Sequence, residues 1–161
     1  MRINRVQIAV SAAVVALVAA CAPPQKRAGP TPYDKTVKAD CYTVDLFTVA
    51  NVEAPSGVPG DWAGYSGKWG GGAWEGKWCH DLHVLKIEAD GSVEVMELHA
   101  PYEDWGKQAT AFRRKGRITK DGRLRMIYGA VAVEYWLQNG RLYGLRKEGG
   151  AEMRIALTPQ A

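Results

Sequence analysis

Three two-residue turn signals constrain the fold of this chain more than any other feature of its sequence. They are Asp90-Gly91, Asp121-Gly122 and Asn139-Gly140. Asp-Gly and Asn-Gly pairs favour the tight turns that join neighbouring antiparallel strands. The segments between them are short and apolar or alternating, and none has a convincing helical pattern. Short strands at regular spacing predict an all-β sandwich or barrel.

We predict eight strands between residues 70 and 158. The first begins at Gly70 and includes the alternating residues 73–78, and the others cover residues 82–89, 92–98, 110–119, 124–128, 131–137, 142–147 and 152–157. The composition agrees, because 18 Gly and 6 Trp against 2 Phe suit turns and aromatic-rich strands. Sequential hairpins favour an up-and-down order, and eight antiparallel strands can close and remove both exposed edges. The expected fold is a small up-and-down antiparallel barrel.

The first 20 residues have the layout of a secretory signal peptide. Arg2 and Arg5 precede an apolar stretch over residues 6–20, which is shorter than the roughly 20 apolar residues that a spanning helix needs. The stretch ends in Val18-Ala19-Ala20-Cys21, which resembles the lipobox of bacterial lipoproteins. This resemblance implies cleavage before Cys21 and acylation of its thiol (by palmitate, for example) and its new amino group. The acyl chains would hold the domain on a membrane.

The same resemblance implies a location for the protein. Because Ala22 and not Asp follows the cysteine, the sorting rule of Gram-negative lipoproteins favours the outer membrane, with the domain on its periplasmic face. Surface display is also compatible with the sequence, and a plain secretory signal with an incidental Cys21 is the alternative. Without Arg2 and Arg5 the formal net charge falls from +4 to +2, which is too small to predict nucleic-acid binding.

Two segments separate the signal peptide from the predicted barrel. Residues 21–36 comprise the lipidated cysteine and a Pro-rich tether. Residues 37–69 contain a β-branched and aromatic segment, residues 42–49, and then a Pro- and Gly-rich linker. We expect residues 42–49 to form a strand that packs on the outside or the end of the barrel, and we expect the barrel domain itself over residues 70–158.

Cys41 and Cys79 remain as a pair if Cys21 carries lipid. In an oxidising compartment a disulfide is the default expectation, and it would staple the segment around Cys41 to the barrel. The alternative is a metal site at Cys79, His80 and His83, but no second Cys-x-x-Cys motif lies nearby. We therefore expect a disulfide and no metal site.

A Gly-x-Trp pattern at the start of the barrel carries a second resemblance. The stretch Gly67-Lys68-Trp69, continued through Trp74 and Trp78 to the hairpin at Asp90-Gly91, is similar to the opening of lipocalin- and avidin-like barrels. Those families begin with a Gly-x-Trp strand and continue into a hairpin. The chain also resembles the lipocalin-like domains of small bacterial proteins. The resemblance implies the same eight-stranded barrel.

The loop after the third predicted strand is the strongest candidate for recognition. It carries His99, Tyr102, Glu103, Asp104 and Trp105. Large amphipathic rings are typical of binding hot spots, and the histidine would add pH sensitivity. The two carboxylates would orient a cationic or hydroxyl-rich ligand. The alternative is that the two rings close the barrel end as a lid.

Two further charged residues are candidate binding positions. Arg113 begins the run Arg113-Arg114-Lys115-Gly116-Arg117, which would be either a solvated strand end or a contact for anionic headgroups or peptidoglycan. Glu134 lies in the strand over residues 131–137, where alternate residues from Val131 form the expected core face and Glu134 faces outward. In the reversed register Glu134 would point inward, pair with Arg113 and mark a polar cavity.

No pattern in the chain predicts catalysis. His80 and Asp81 are consecutive and face opposite sides of a strand, as do His80 and His83, so neither pair forms a dyad. Asp81 is expected to cap the turn between the first two strands. Serine-hydrolase, phosphate-loop, metallopeptidase and calcium-loop motifs are missing from the sequence. We expect no enzyme and no cofactor.

Three functions remain open. The first is a non-catalytic envelope lipoprotein, anchored through Cys21, that binds a small ligand or an envelope partner such as a protein or peptidoglycan. The second is a protease or lysozyme inhibitor, because some such inhibitors are lipid-anchored, disulfide-bearing barrels of this size. The third is a structural lipoprotein for outer-membrane or cell-wall assembly. A deep cavity would favour the first function, a filled core with a protruding loop the second, and a flat apolar patch the third.

Overall fold

The structure is a computed structural model that describes residues 33–38, 41 and 50–161. The predicted signal peptide, the lipidation site at Cys21, most of the tether and the predicted strand over residues 42–49 lie outside the described residues. No helix among the described residues is long and apolar enough to cross a membrane.

Eight antiparallel strands form a closed barrel, which confirms the predicted fold class. The strands in chain order are β1 Gly67–Trp74, β2 Trp78–Ile87, β3 Ser92–His99, β4 Thr110–Ile118, β5 Leu124–Tyr128, β6 Val131–Gln138, β7 Arg141–Glu148 and β8 Ala151–Gln160. Each strand pairs with its neighbours in sequence, and β8 pairs with β1 to close the sheet. Within the described residues one short α-helix, α1 Gly60–Ala63, precedes the barrel, and single 3₁₀ turns lie at Asp34–Thr36 and Glu103–Trp105.

The first hairpin differs from its prediction. The alternating residues 73–78 were expected in one strand, but a turn at residues 75–77 separates β1 from β2. Glu75 and Gly76 both have positive φ, at 50° and 71°, which reverses the chain direction. The prediction that Asp81 caps this turn is therefore wrong. Asp81 lies inside β2, where its carboxylate occupies the space left by the missing side chain of Gly70.

The two ends of the barrel are built differently. All three Asp-Gly and Asn-Gly turns lie at one end, because they follow β2, β4 and β6. The segment with α1 covers this closed end: the Tyr65 hydroxyl donates to the Gly122 carbonyl at 2.5 Å, and the Trp69 indole N–H donates to the Tyr65 carbonyl at 2.8 Å. The opposite end, which we call the mouth, carries the longer connection between β3 and β4.

Large apolar side chains fill the middle and the closed end of the barrel. Trp74, Tyr135, Leu124 and Met126 are each at most 1% exposed. A smaller apolar cluster lies on the outer face of β2 and β3, where Leu85, Met96 and Leu98 are covered by Ala50 and Val52. The burial follows the alternation of strand residues, and β6 buries Val131, Val133 and Tyr135 as predicted.

The segment before the barrel closes the seam between β1 and β8. These strands pair only from Lys68 to Gly70, because a bulge follows at residues 69–72. Beyond it the Thr36 hydroxyl accepts a hydrogen bond from the Ala156 N–H at 2.7 Å, and the Lys38 N–H donates to the Gly71 carbonyl at 3.0 Å. The predicted disulfide is confirmed, and it joins Cys41 to Cys79 in β2. The thiol of Cys79 is therefore not free for the alternative metal site.

Candidate functional site: a polar pocket at the mouth of the barrel

A pocket of about 240 Å³ opens at the mouth. Its lining residues come from β2, β3, β4, β5, β7 and the loop between β3 and β4, and they are Trp78, Glu97, His99, Gly106, Lys107, Gln108, Thr110, Phe112, Arg114, Tyr128 and Arg146. We call this set the mouth pocket. It combines aromatic rings with charged groups, of which Glu97, Arg114 and Arg146 lie in strands and Lys107 in the loop.

Strand alternation explains why these side chains meet. In β3 the inward residues are Val93, Val95, Glu97 and His99, so the strand changes from apolar to polar as it approaches the mouth. The strand β4 pairs with β5 only at Arg117–Arg125 and Ile118–Leu124. Its mouth half, residues 110–116, therefore has no ladder to β5, and the pocket lies beside this half.

A hydrogen-bonded charge network forms the base of the mouth pocket. Glu97 is 1% exposed, and its Oε1 accepts a hydrogen bond from the Tyr128 hydroxyl at 3.1 Å. Arg146 donates to the Tyr128 oxygen at 2.9 Å and makes two hydrogen bonds to Glu148, at 2.8 and 3.1 Å. Arg114 approaches Glu97 Oε2 with its Nε at 3.5 Å. The network fixes the orientation of the buried groups.

Burial changes the protonation chemistry of this network. It raises the pKa of the Glu97 carboxyl, although the Tyr128 hydrogen bond and the charges of Arg146 and Arg114 act in the opposite direction. Burial also raises the pKa of the Tyr128 hydroxyl, and the Glu97 charge adds to this effect. The hydroxyl therefore stays protonated and remains a hydrogen-bond donor to Glu97.

Aromatic rings form the side walls. The Trp78 and His99 rings stack with centroids 4.4 Å apart, and His80 lies 4.5 Å from His99 on the barrel side. The Arg114 guanidinium lies over two rings, 4.5 Å from the Phe112 centroid and 4.2 Å from that of Tyr128. Cations over ring faces are attracted by the ring quadrupole, so the two rings act together with the Glu97 ion pair to orient Arg114.

His99 is the predicted candidate that the structure places in the pocket. Its side chain is 4% exposed, and neither ring nitrogen has a hydrogen-bond partner among the described residues. Burial lowers its pKa to about 3, and the charges of Arg146, Arg114 and Lys107 act in the same direction. The imidazole is therefore neutral at physiological pH. It titrates only at a much lower pH, so the pH sensitivity that the sequence suggested is not expected in the physiological range.

The other loop candidates lie at the rim. The rings of Tyr102 and Trp105 pack against each other with centroids 5.0 Å apart. Their centroids lie 6.5 and 5.9 Å from that of Trp78. Neither residue lines the pocket. The Tyr102 hydroxyl donates to Asp104 at 2.9 Å. Glu103 begins the 3₁₀ turn, and Trp105 at its end is 50% exposed. The loop therefore frames the mouth and shields Trp78.

Arg113 and Glu134 lie on the outer wall, away from the mouth pocket. Arg113 forms an ion pair with Glu94, and Glu134 accepts from Arg123 at 3.1 Å and lies 3.5 Å from Arg125. The reversed register, with an inward Glu134 paired to Arg113, is wrong because Tyr135 occupies the inward position. The residue of the basic run that reaches the pocket is Arg114, which follows Arg113 and faces the other side of β4.

Sequence reasoning missed most of the inward polar residues. Trp78, Glu97, Arg114, Tyr128 and Arg146 were not predicted as site residues. The sequence did contain a signal for Glu97, because Glu97 is two residues after Val95 and four after Val93 in the same strand. These alternate positions face the same, inward side of the sheet. His80 is buried as well, but it does not line the pocket. Its Nε2 lies 3.0 Å from the Tyr135 hydroxyl oxygen.

Two outer grooves are weaker candidates. They have volumes of about 280 and 220 Å³ and lie on the outer wall over β2–β4 and β5–β7. Most of their charges are paired with neighbouring side chains, for example Lys86 with Glu88 at 3.0 Å and Lys147 with Glu152 at 2.9 Å. Lys115, in the first groove, is in no ion pair among the described residues. Among the described residues, no group of three or more His, Cys, Asp or Glu side chains is placed to hold a metal ion.

Comparison with known proteins gives no relative for this chain. No family model, no curated protein and no solved structure matches it.

Proposed function

We propose that this protein is a non-catalytic lipoprotein of the bacterial outer membrane whose barrel binds a small ligand at the mouth. The observation that carries the proposal is the pair of unpartnered nitrogens of His99, which is 4% exposed in a pocket of about 240 Å³. A buried polar atom without a partner is costly, by about 1–3 kcal/mol. A bound molecule that supplies the missing hydrogen bond would recover that free energy.

The arrangement favours binding over catalysis. The groups that could act as acid or base are held in fixed structural contacts: Glu97 by Tyr128, and His80 by Tyr135. His99 packs flat against Trp78, and its pKa of about 3 is far from the value that general acid–base catalysis needs near neutral pH. Aromatic walls with a few convergent polar groups are typical of ligand sites.

The anchor is the second part of the proposal, and its test is independent of the pocket. Cys21→Ser in the full-length chain should abolish incorporation of labelled palmitate and release the domain from the membrane fraction. The matched control is Cys41→Ser combined with Cys79→Ser, which should keep the label. Labelled palmitate on the Cys21→Ser variant would overturn the lipoprotein assignment.

Ligand binding is tested by thermal denaturation of the mature domain with benzoate, benzamide or benzylamine at millimolar concentration. At least one of these compounds should raise the melting temperature, because a ligand of the folded state stabilises it. In the variant Thr110→Phe, which adds a ring to the pocket lining, the shift should vanish. The proposal fails if none of the three compounds shifts the wild type, or if the shift persists in the variant.

One observation favours the inhibitor alternative. Trp105 is 50% exposed on a protruding turn that also carries Glu103 and Asp104, and the middle of the barrel is filled. An exposed tryptophan is a frequent anchor in protein interfaces. Inhibition assays of the mature domain against a trypsin-like protease and a lysozyme test this alternative, and loss of inhibition in Trp105→Ala would support it.

A further inference from the structure

We infer that the mouth pocket selects small planar molecules with a carboxylate group, an aromatic carboxylate being the simplest member of the class. This inference rests on the proposed function and assigns the ligand class of the same site. It depends on the balance of charge in the lining, on the position of His99 and on the size and walls of the pocket.

The charge of the lining favours an anion. Three cationic residues, Lys107, Arg114 and Arg146, line the pocket with one carboxylate, Glu97. Arg146 is occupied by its hydrogen bonds to Glu148 and Tyr128. Lys107 has no carboxylate within 4 Å in the part of the chain that the structure describes. Arg114 is ion-paired with Glu97, its Nε lying 3.5 Å from Oε2, but that Nε has no hydrogen-bond partner among the described residues. Lys107 therefore remains to meet an anionic group, and Arg114 can share its charge between Glu97 and such a group.

The buried histidine supplies a directed donor. A neutral imidazole carries one N–H and one acceptor nitrogen, and both nitrogens of His99 lack partners among the described residues. A carboxylate has two acceptor oxygens, so one oxygen can accept from His99 while the other faces Lys107 or Arg114. A cationic ligand would instead face the same charges that lower the pKa of His99.

Size and walls select a planar molecule. The volume of about 240 Å³ is below the range of roughly 300–1,000 Å³ that drug-sized ligands occupy. A pocket of this volume suits a ligand that has one ring and one head group. The rings of Trp78, Phe112 and Tyr128 line the pocket and can stack on a flat ligand.

Isothermal titration of the mature domain with benzoate, benzamide, benzylamine and phenyl phosphate tests the ligand class. We expect benzoate to bind about tenfold more tightly than benzamide, because a hydrogen bond to an ionised acceptor is roughly twice as strong as one to a neutral acceptor. Benzylamine should bind more weakly than benzamide. Phenyl phosphate, which carries the other common anionic head group, should bind more weakly than benzoate because its larger tetrahedral head fits a small pocket less well.

Two variants and one matched control locate the recognition. Lys107→Gln and Arg114→Gln should each weaken benzoate binding several-fold and leave benzamide binding unchanged. Arg113→Gln removes the adjacent cation on the outer face of β4 and should leave both affinities unchanged. Because Lys107 lies in an exposed loop, its variant keeps the test valid even if Arg114→Gln fails to fold.

The outcomes separate this inference from the proposed function. Equal affinity for benzoate and benzamide, or tighter binding of benzylamine, overturns the carboxylate class but leaves a ligand site at the mouth. Tighter binding of phenyl phosphate overturns it in favour of a phosphate ligand. An equal loss of affinity in Arg113→Gln shows a general charge effect and also overturns it. If none of the four compounds binds, the proposed function itself fails.

Discussion

His99 shows at the scale of one residue how burial decides chemistry in this protein. Its pKa falls to about 3 in the folded state, against an ordinary value of 6.5 in an unfolded chain, first because of burial and then because of Arg146 and Arg114. Between pH 6.5 and about 3 the unfolded state therefore binds more protons than the folded state. The free energy of unfolding falls as the pH falls through this window.

We predict that His99→Phe makes the protein less sensitive to acid. The phenyl ring keeps the stacking on Trp78 and removes one group that titrates only on unfolding. Urea denaturation at pH 6 and pH 4.5 should show a decrease in unfolding free energy that is smaller in the variant, by up to about 1.4 kcal/mol per pH unit. An identical decrease in both proteins would show that His99 is not held neutral.

Trp105 gives a second prediction at this scale. Because its ring is 50% exposed and touches Trp78 only by its edge, Trp105→Ala should lower the unfolding free energy by about 1 kcal/mol, well below the 3–5 kcal/mol of a buried tryptophan. Benzoate affinity should change little, because Trp105 is not a lining residue. Chemical denaturation and calorimetry check the two results. A decrease in unfolding free energy of 3 kcal/mol or more would show that the ring is a lid on the barrel end. A decrease in benzoate affinity would show that the ring is a binding anchor.

Single residues also show where sequence reasoning fails. Arg113 and Arg114 are chemically identical, and in a run of adjacent cations only the phase of the strand decides which one faces the pocket. The loop aromatics were found because two large rings stand out in a polar loop, yet their orientation against Trp78 depends on contacts that no local pattern records. Strand alternation did place Glu134 outward and Tyr135 in the core.

At the scale of elements, turn chemistry explains which strands could be predicted. The hairpins at Asp90-Gly91, Asp121-Gly122 and Asn139-Gly140 carry a local signal, and the strands around them agree with prediction to within a few residues. The hairpin at Glu75-Gly76 was missed because the alternation of Trp74 and Trp78 continues across it. Tertiary contacts there override the local pattern: the Glu75 carboxylate accepts a hydrogen bond from the Arg154 N–H at 2.7 Å.

The seam between β1 and β8 gives a prediction at the scale of elements. A Cβ at residue 72 would lie 2.3 Å from the Ala156 carbonyl oxygen and 2.9 Å from the Leu157 side chain, and a backbone atom cannot move away cheaply. Gly72→Ala should therefore lower the unfolding free energy by about 1–3 kcal/mol. Gly60→Ala, where the added methyl group meets open space, is the matched control and should have little effect. Equal urea midpoints for the two variants would contradict the tight seam.

At the scale of the whole molecule, the barrel has one closed end, a filled middle and one polar mouth. The closed barrel was predictable, because the number of hairpins and the up-and-down order leave few other ways to protect the sheet edges. The filled middle was not, since strand alternation shows that a ring such as Tyr135 faces inward but not whether the inward rings meet across the barrel axis or leave a cavity. Inside the barrel, this distribution leaves the mouth, where the inward residues become polar, as the place for the ligand that we propose.

The most direct test of binding at the mouth is a map of amide chemical shifts in the mature ¹⁵N-labelled domain during a titration with benzoate. We expect saturable shifts confined to the mouth, at residues such as His99, Lys107, Thr110, Arg114 and Tyr128. Shifts at α1 and the closed end, shifts along the outer grooves, or the absence of any saturable shift would contradict this expectation.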